Sequence, residues 1–122
     1  MMTDAGKNEI RDLLLGSGTK PTHIMIGSGD TAPTASDTQL DYEIPNTREA
    51  FSSVVTSDKQ IDFEHVMNSA EPSGQMPVYF REIGLSNSPN LNSGDLFCRS
   101  TFTELQKTTS MEVQSTITLK IE

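Results

Sequence analysis

From position 111 onward the chain alternates without a break. Met111, Val113, Ser115, Ile117, Leu119 and Ile121 fall on one side, and Glu112, Gln114, Thr116, Thr118, Lys120 and Glu122 on the other. Successive side chains of an extended strand point to opposite faces, so a period of two separates these sets completely. An apolar-in, polar-out strand of this length belongs to an antiparallel sheet with one wet face. The rest of the chain therefore has to supply strands for it to pair with and a layer for it to cover.

Upstream segments supply both. Phe51, Ser53 and Val55 alternate, Ser57-Asp58-Lys59 turns, and Ile61, Phe63, His65 and Met67 alternate again, which reads as a β-hairpin. Thr22 to Gly27 reads as a short strand, with Ile24 and Ile26 on one face and His23 and Met25 on the other. Val78 to Leu85 and Leu96 to Phe102 read as further strands, and Glu104 to Ser110 as a polar connection. Leu40, Tyr42 and Ile44 alternate before Pro45, as an edge element or an arm laid on another surface. Long polar loops are expected over about 28–39, 68–77 and 86–94. A short helix over about 4–15 precedes all of this, with Thr3 or Asp4 as N-cap and Ile10, Leu13 and Leu14 as its apolar stripe. Gly16 can take the left-handed conformation that ends it, while Gly6 weakens its first turn. The expected fold is mostly β: a single domain over 1–122, an antiparallel β-sandwich or small barrel with one short N-terminal helix.

Composition limits what such a fold can do. Hydrophobic residues make up 34% of the 122 and aromatics 6%, with no Trp, so the core is lean and aliphatic. A lean core in a small domain gains from burial against a partner. The net charge of −8, from 9 basic and 17 acidic residues, argues against nucleic acid and anionic membranes, both of which call for a basic face. No apolar run is long enough to span a bilayer, and Met1 to Gly6 lacks the pattern of a signal peptide, so synthesis in a cytoplasm without export is expected. The 28 Ser and Thr residues suit exposed strands and loops.

The motifs that could carry chemistry are incomplete. Gly27-Ser28-Gly29 follows a strand, but Ala32 and Pro33 stand where a dinucleotide fold needs a glycine and a helix. The single cysteine, Cys98, reads as a buried small hydrophobe, with Arg99 on the opposite face. His23 and His65 lack metal-ligand spacing, and His65 reads as a core-edge histidine. Asn87, Asn90, Asn92 and Asp95 could in principle ligate calcium but read as an ordinary turn. Glu64 and Glu82 as a glycosidase pair would need a cleft that so few aromatics cannot build. No catalytic residue, metal or cofactor is expected.

Five segments together resemble a family of small tailed-phage virion structural proteins. They are Met2-Thr3-Asp4-Ala5-Gly6 with Ile10-Arg11-Asp12-Leu13-Leu14; Thr22 to Pro33 with its Gly-Ser-Gly-Asp-Thr-Ala-Pro loop; Asp37-Thr38-x-Leu40; Arg81-Glu82-Ile83-Gly84-Leu85-x-Asn87; and Arg99-x-Thr101-Phe102 with Lys107-Thr108 and the terminal strand. They occur in the family's order across nearly the whole chain, and residues 45–75 carry no matching segment. The resemblance implies a structural or assembly subunit of a tail tip, baseplate, fibre or head spike, located in the virion. Its partners would be copies of itself and neighbouring virion proteins, in a symmetric assembly. Expected interface residues are Gly27, Gly29, Pro33, Tyr42, Arg81, Gly84 and Asn87. Small residues there permit close contact, and Arg81 shares an expected strand face with Tyr79, Ile83 and Leu85, where it either pairs with a carboxylate, crosses an interface or lies along the surface. The alternative is a host-receptor or carbohydrate-binding module on the particle surface, which would require Tyr42 or Tyr79 to line an exposed concave face. A small enzyme would require His23 or His65 to meet a carboxylate in a cleft.

Overall fold

The computed structural model describes residues 1–121. A helix, α1 (Asp4–Leu14), is followed by β1 (His23–Gly27), β2 (Glu49–Ala50), β3 (Ser53–Ser57), β4 (Gln60–Met67), β5 (Val78–Ser86), β6 (Leu96–Lys107) and β7 (Val113–Lys120). The strands form two open antiparallel sheets, one ordered β2-β1-β5-β6 and the other β3-β4-β7. Of the two expected architectures, the sandwich is the one adopted; no closed barrel forms among the described residues.

The sheets meet through a core as lean as the composition requires. Ile24, Leu85 and Phe97 of the four-stranded sheet pack with Phe63 of the other. Ile26 and Phe80 pack with Met67, and Ile44 joins them from the chain between β1 and β2. Phe51 and Phe63 add a tilted ring pair with centroids 4.9 Å apart. Burying each such side chain contributes roughly 1.5–3 kcal/mol, so few can be spared. β7 lies on this core as its alternation requires: Ser115 is buried, Ile117 and Leu119 are half-buried, and Thr116, Thr118 and Lys120 are exposed.

The helix is capped as expected. The Thr3 hydroxyl accepts from the Gly6 N–H at 3.0 Å, and Gly16, at φ +84°, ends the helix. Its apolar stripe is only partly used. Ile10 packs on the core, but Leu14 is 85% exposed. The cause lies in the first turn, where Gly6 rests on the β6 backbone; a Cβ there would stand 2.5 Å from the Phe97 carbonyl oxygen. The residue that weakens the helix in sequence is thus its docking point, and the C-terminal half overhangs.

Three local expectations are corrected. Residues 104–107 are strand and not connection, because β6 continues along β5 with Phe80 opposite Leu105 and Val78 opposite Lys107. On β5, a bulge between Phe80 and Glu82 resets the alternation, so Phe80 joins Ile83 and Leu85 against the core and Tyr79 and Arg81 do not share their face. On β3, an irregularity at Ser52, whose N–H donates to Glu64 O and whose hydroxyl accepts from Val66 N–H, shifts the register by one residue. Val54 then stands opposite Phe63, so Val54 and not Val55 faces inward. All five residues of β3 remain exposed.

Candidate functional site

The most organised part of the surface is an arm, residues 28–47, folded over the outer face of the four-stranded sheet. Leu40 anchors it, packed with Met25 and Leu96. Beside this small apolar patch lies a buried carboxylate, Glu82, at 0% exposure. Its Oε1 accepts from Arg99 Nε and from Asp41 N–H, each at 2.8 Å. Its Oε2 accepts from Gly29 N–H at 2.7 Å and Tyr42 N–H at 2.8 Å. One side chain thus holds both ends of the arm's excursion to the sheet. Arg99, across the β5–β6 pair, completes the charge balance and reaches Asp37 at 3.2 Å and Thr31 Oγ1 at 3.3 Å. Burial opposes the Arg99 charge, but Glu82 and then Asp37 outweigh it and raise its pKa. The Thr34 N–H is the main cause of a lowered Asp37 pKa; burial opposes it, and the Thr34 hydroxyl and Arg99 add to it.

A second ion pair ties the arm to the 87–95 loop. Arg48 grips Glu43 with two bonds of 2.8 and 2.9 Å. The same guanidinium donates to Ser86 Oγ, Ser88 O and Ser93 O at 2.9–3.1 Å. The loop read as a conceivable calcium site is therefore organised around a protein cation. Asn87 accepts from Asp95 N–H at 2.9 Å, and no group of three His, Cys, Asp or Glu residues able to hold a metal occurs among the described residues. Lys107, fully buried at the end of β6, donates to Thr108 O at 2.9 Å and Ser69 O at 3.3 Å, drawing in the 68–77 loop.

The expected interface residues divide between these features. Gly27 and Gly29 lie against Glu82 and the arm, where Ser28 N–H donates to Tyr42 O at 2.9 Å. Gly84 gives Leu40 and Leu96 room, at 2.9 Å from where its Cβ would be. The close approaches that small residues permit are thus made within the chain. Pro33 is half-buried in the arm, and Asn87 donates to Thr19 O at 3.3 Å. Arg81 pairs with Glu104 and lies 5.7 Å from the Tyr79 ring, so of its three readings the carboxylate partner is realised, within the chain. Tyr42 is 64% exposed and lines a recess of about 250 Å³ with Gln39, Asp41, Pro45, Leu91 and Asn92. The sequence offers Glu82 only as a partner for Glu64 and Arg99 only as the neighbour of Cys98, and it does not show that the two pair with each other. The signal was present in the adjacent Arg81-Glu82 charges inside a strand, but alternation counted from Tyr79 chose the wrong one.

His65 does meet a carboxylate. Its Nε2 lies 3.1 Å from Glu49 Oε2 at an angle outside hydrogen bonding, and its Nδ1 lies 3.4 Å from Ser52 Oγ. Burial lowers its pKa. The trio has the groups of a nucleophilic relay without its surroundings. Ser52 Oγ is occupied by the Val66 N–H at 3.1 Å, and none of four surface cavities of about 250 to 670 Å³ is lined by any of the three. The His23 ring is bonded through Nδ1 to the hydroxyl of its neighbour Thr22, at 2.7 Å. Burial pushes the Cys98 thiol up to about 11, which disfavours the nucleophilic thiolate.

The opposite region is apolar and open. Between α1 and the three-stranded sheet runs a groove of about 670 Å³, lined by Ile10, Leu13, Leu14, Val54, Phe63 and Ile121 among others. Among the described residues no helix is long and apolar enough to cross a membrane. No protein-family model and no curated protein matches the chain.

Proposed function

We propose that this chain is a structural subunit of a tailed-virus particle that works through contacts with copies of itself and with neighbouring virion proteins. The observation that carries the assembly part is the open apolar groove beside overhanging Leu14 and exposed Val54. A chain with so few apolar residues leaves a contiguous group of them uncovered, and such patches mark association surfaces. The virion part is supported by the resemblance of the five ordered segments. Mass spectrometry of purified particles, paired with the sedimentation mass of the isolated protein, tests both. The expected result is an oligomer that copurifies with particles; a monomer absent from particles overturns the proposal.

A second reading is favoured by Tyr42. Its exposed ring beside Gln39, Asp41 and Asn92 has the makeup of a small sugar platform, an apolar face with polar side chains around it. Glycan-array binding that Tyr42→Ala abolishes would establish it; no binding by the native protein removes it.

A further inference from the structure

We infer that β3 is the edge through which two copies of this chain pair, antiparallel and centred on Val55. The inference rests on the assembly reading above and names its contact. A sheet edge exposes unpaired N–H and C=O groups, and proteins usually blunt such edges. Here β2 is only two residues long, and Met1–Thr3 covers one end of β6, with Arg99 N–H donating to Met1 O and Thr3 N–H to Phe97 O, both at 3.0 Å. β7 carries Lys120 within it. β3 has no such device: residues 51–57, Phe-Ser-Ser-Val-Val-Thr-Ser, contain no charge and no proline.

The occupant follows from the sequence of the strand. Ser53-Val54-Val55-Thr56-Ser57 is nearly palindromic. Antiparallel pairing about Val55 sets Ser53 against Ser57, Val54 against Thr56 and Val55 against itself. Pairs of β-branched residues favour such registers. Beyond the strand, Asp58 would face Ser52 and Lys59 would face Phe51, so no like charges meet. This matters because each copy carries a net charge of −8, which opposes self-association over most other surfaces. The groove adds a second reason. Val54 and Thr56 both line it, so the pairing that extends the sheet also brings the partner's apolar strand face to its mouth. The contact is isologous and closes after two copies.

The test uses the whole protein. Val55 is 47% exposed and Val66, on the outer face of β4, is 43% exposed, so changes at either are compatible with folding. The native chain should sediment at twice its 13.4 kDa. Val55→Lys, which sets lysine against lysine, should weaken dimerisation about tenfold or more with an unchanged circular dichroism spectrum, and Val66→Lys should not. On a Cys98→Ala background, Val55→Cys should oxidise to a covalent dimer, since the facing Cα atoms of an antiparallel pair stand about 4.5–5.5 Å apart, within disulfide reach. Val66→Cys should stay monomeric on a denaturing gel. A native monomer, or a Val55→Lys protein that keeps its dimer mass, overturns the inference. If Val55→Lys is still dimeric and the chain is present in particles, the assembly reading survives with another interface. If the β3 dimer forms and the chain is absent from particles, the edge stands and the virion reading falls.

Discussion

The two sheets are finished by opposite means. The four-stranded sheet is covered by the arm, and the cover is fastened mainly by charge: Glu82 with Arg99, and Glu43 with Arg48. Leu40 is the arm's main apolar contact there. The three-stranded sheet has no such cover among the described residues. Its edge strand is wholly exposed, and the groove beside it is apolar. With hydrophobic residues at 34%, the chain cannot close both sides by burial alone. A polar lock needs few residues and fixes one geometry, because each oxygen of Glu82 is committed to particular donors. An apolar opening fixes no geometry until something fills it. The contrast separates a side completed by the chain itself from a side left for association.

The sharpest way to break this contrast is to remove the lock. Glu82→Ala strips the acceptor from Arg99 and from three backbone N–H groups, leaving a buried charge without its nearest partner. Loss of one member of a buried pair typically costs about 3–5 kcal/mol, which urea denaturation should register as a large fall in midpoint. Arg99→Met separates the two roles of the site. It leaves Glu82 its three backbone donors, so the arm should remain attached by hydrogen exchange at Gly29 and Tyr42. If both variants release the arm equally, the ion pair and not the backbone contacts holds it.

A smaller effect is expected at Gly6→Ala. In an exposed helix this change is favourable by roughly 0.8–1 kcal/mol. Here the new Cβ would stand 2.5 Å from Phe97 O and 2.6 Å from Phe97 Cα, which are backbone atoms and cannot swing aside. Overpacking of this kind costs about 1–3 kcal/mol, so the sign should reverse and thermal unfolding should occur at lower temperature. A stabilised variant would mean that α1 is docked only loosely.

Which of these features could be seen in the sequence depends on how local their causes are. The terminal strand, the β3–β4 hairpin and the helix cap at Thr3 follow from neighbouring residues; the hairpin and the cap lie where expected, and the strand expected over 111–122 runs Val113–Lys120, with Glu122 outside the described residues. The face of Val55 does not, because a single irregular residue, Ser52, inverts everything after it. The true length of β6 depends on its pairing with Val78–Phe80, more than twenty residues upstream by sequence number. The lock was hidden for the same reason. Its partners at positions 29, 41, 42, 82 and 99 contribute backbone N–H groups as well as side chains, and backbone groups leave no mark in composition. The Ser/Thr/Asp-rich stretch 31–38 reads as a featureless loop, yet Thr31, Thr34 and Asp37 are its working contacts.

Acid should loosen the molecule in two steps, the first in the three-stranded sheet and the second in the arm. His65 comes first. Burial holds its folded pKa below the ordinary 6.5. The unfolded chain therefore takes up this proton first, and stability falls as pH drops from about 6.5 toward the folded value. Asp37 follows. Its folded pKa lies below 3.8, so its contribution is present above that value and is lost as pH falls through the folded pKa. His65→Gln should shrink the upper step, leaving the part due to His23, whose pKa burial and then Arg48 also lower, and Asp37→Asn should remove the lower. Urea midpoints measured across the range would show each step separately, and an upper step undiminished in His65→Gln belongs to His23 alone.

The smallest effect on folding should come from the open side. Leu14 is 85% exposed and borders the groove, so Leu14→Ser should alter monomer stability by no more than about 0.5 kcal/mol, as surface changes usually do. It nonetheless removes apolar surface at the place where a second copy would bring its own β3. If the groove is covered on association, Leu14→Ser should weaken the dimer while leaving the unfolding midpoint of the dilute monomer where it was. A dimer of unchanged affinity would confine the contact to the strand edge, and a lowered monomer midpoint would show instead that the overhanging end of α1 contributes to the chain's own fold.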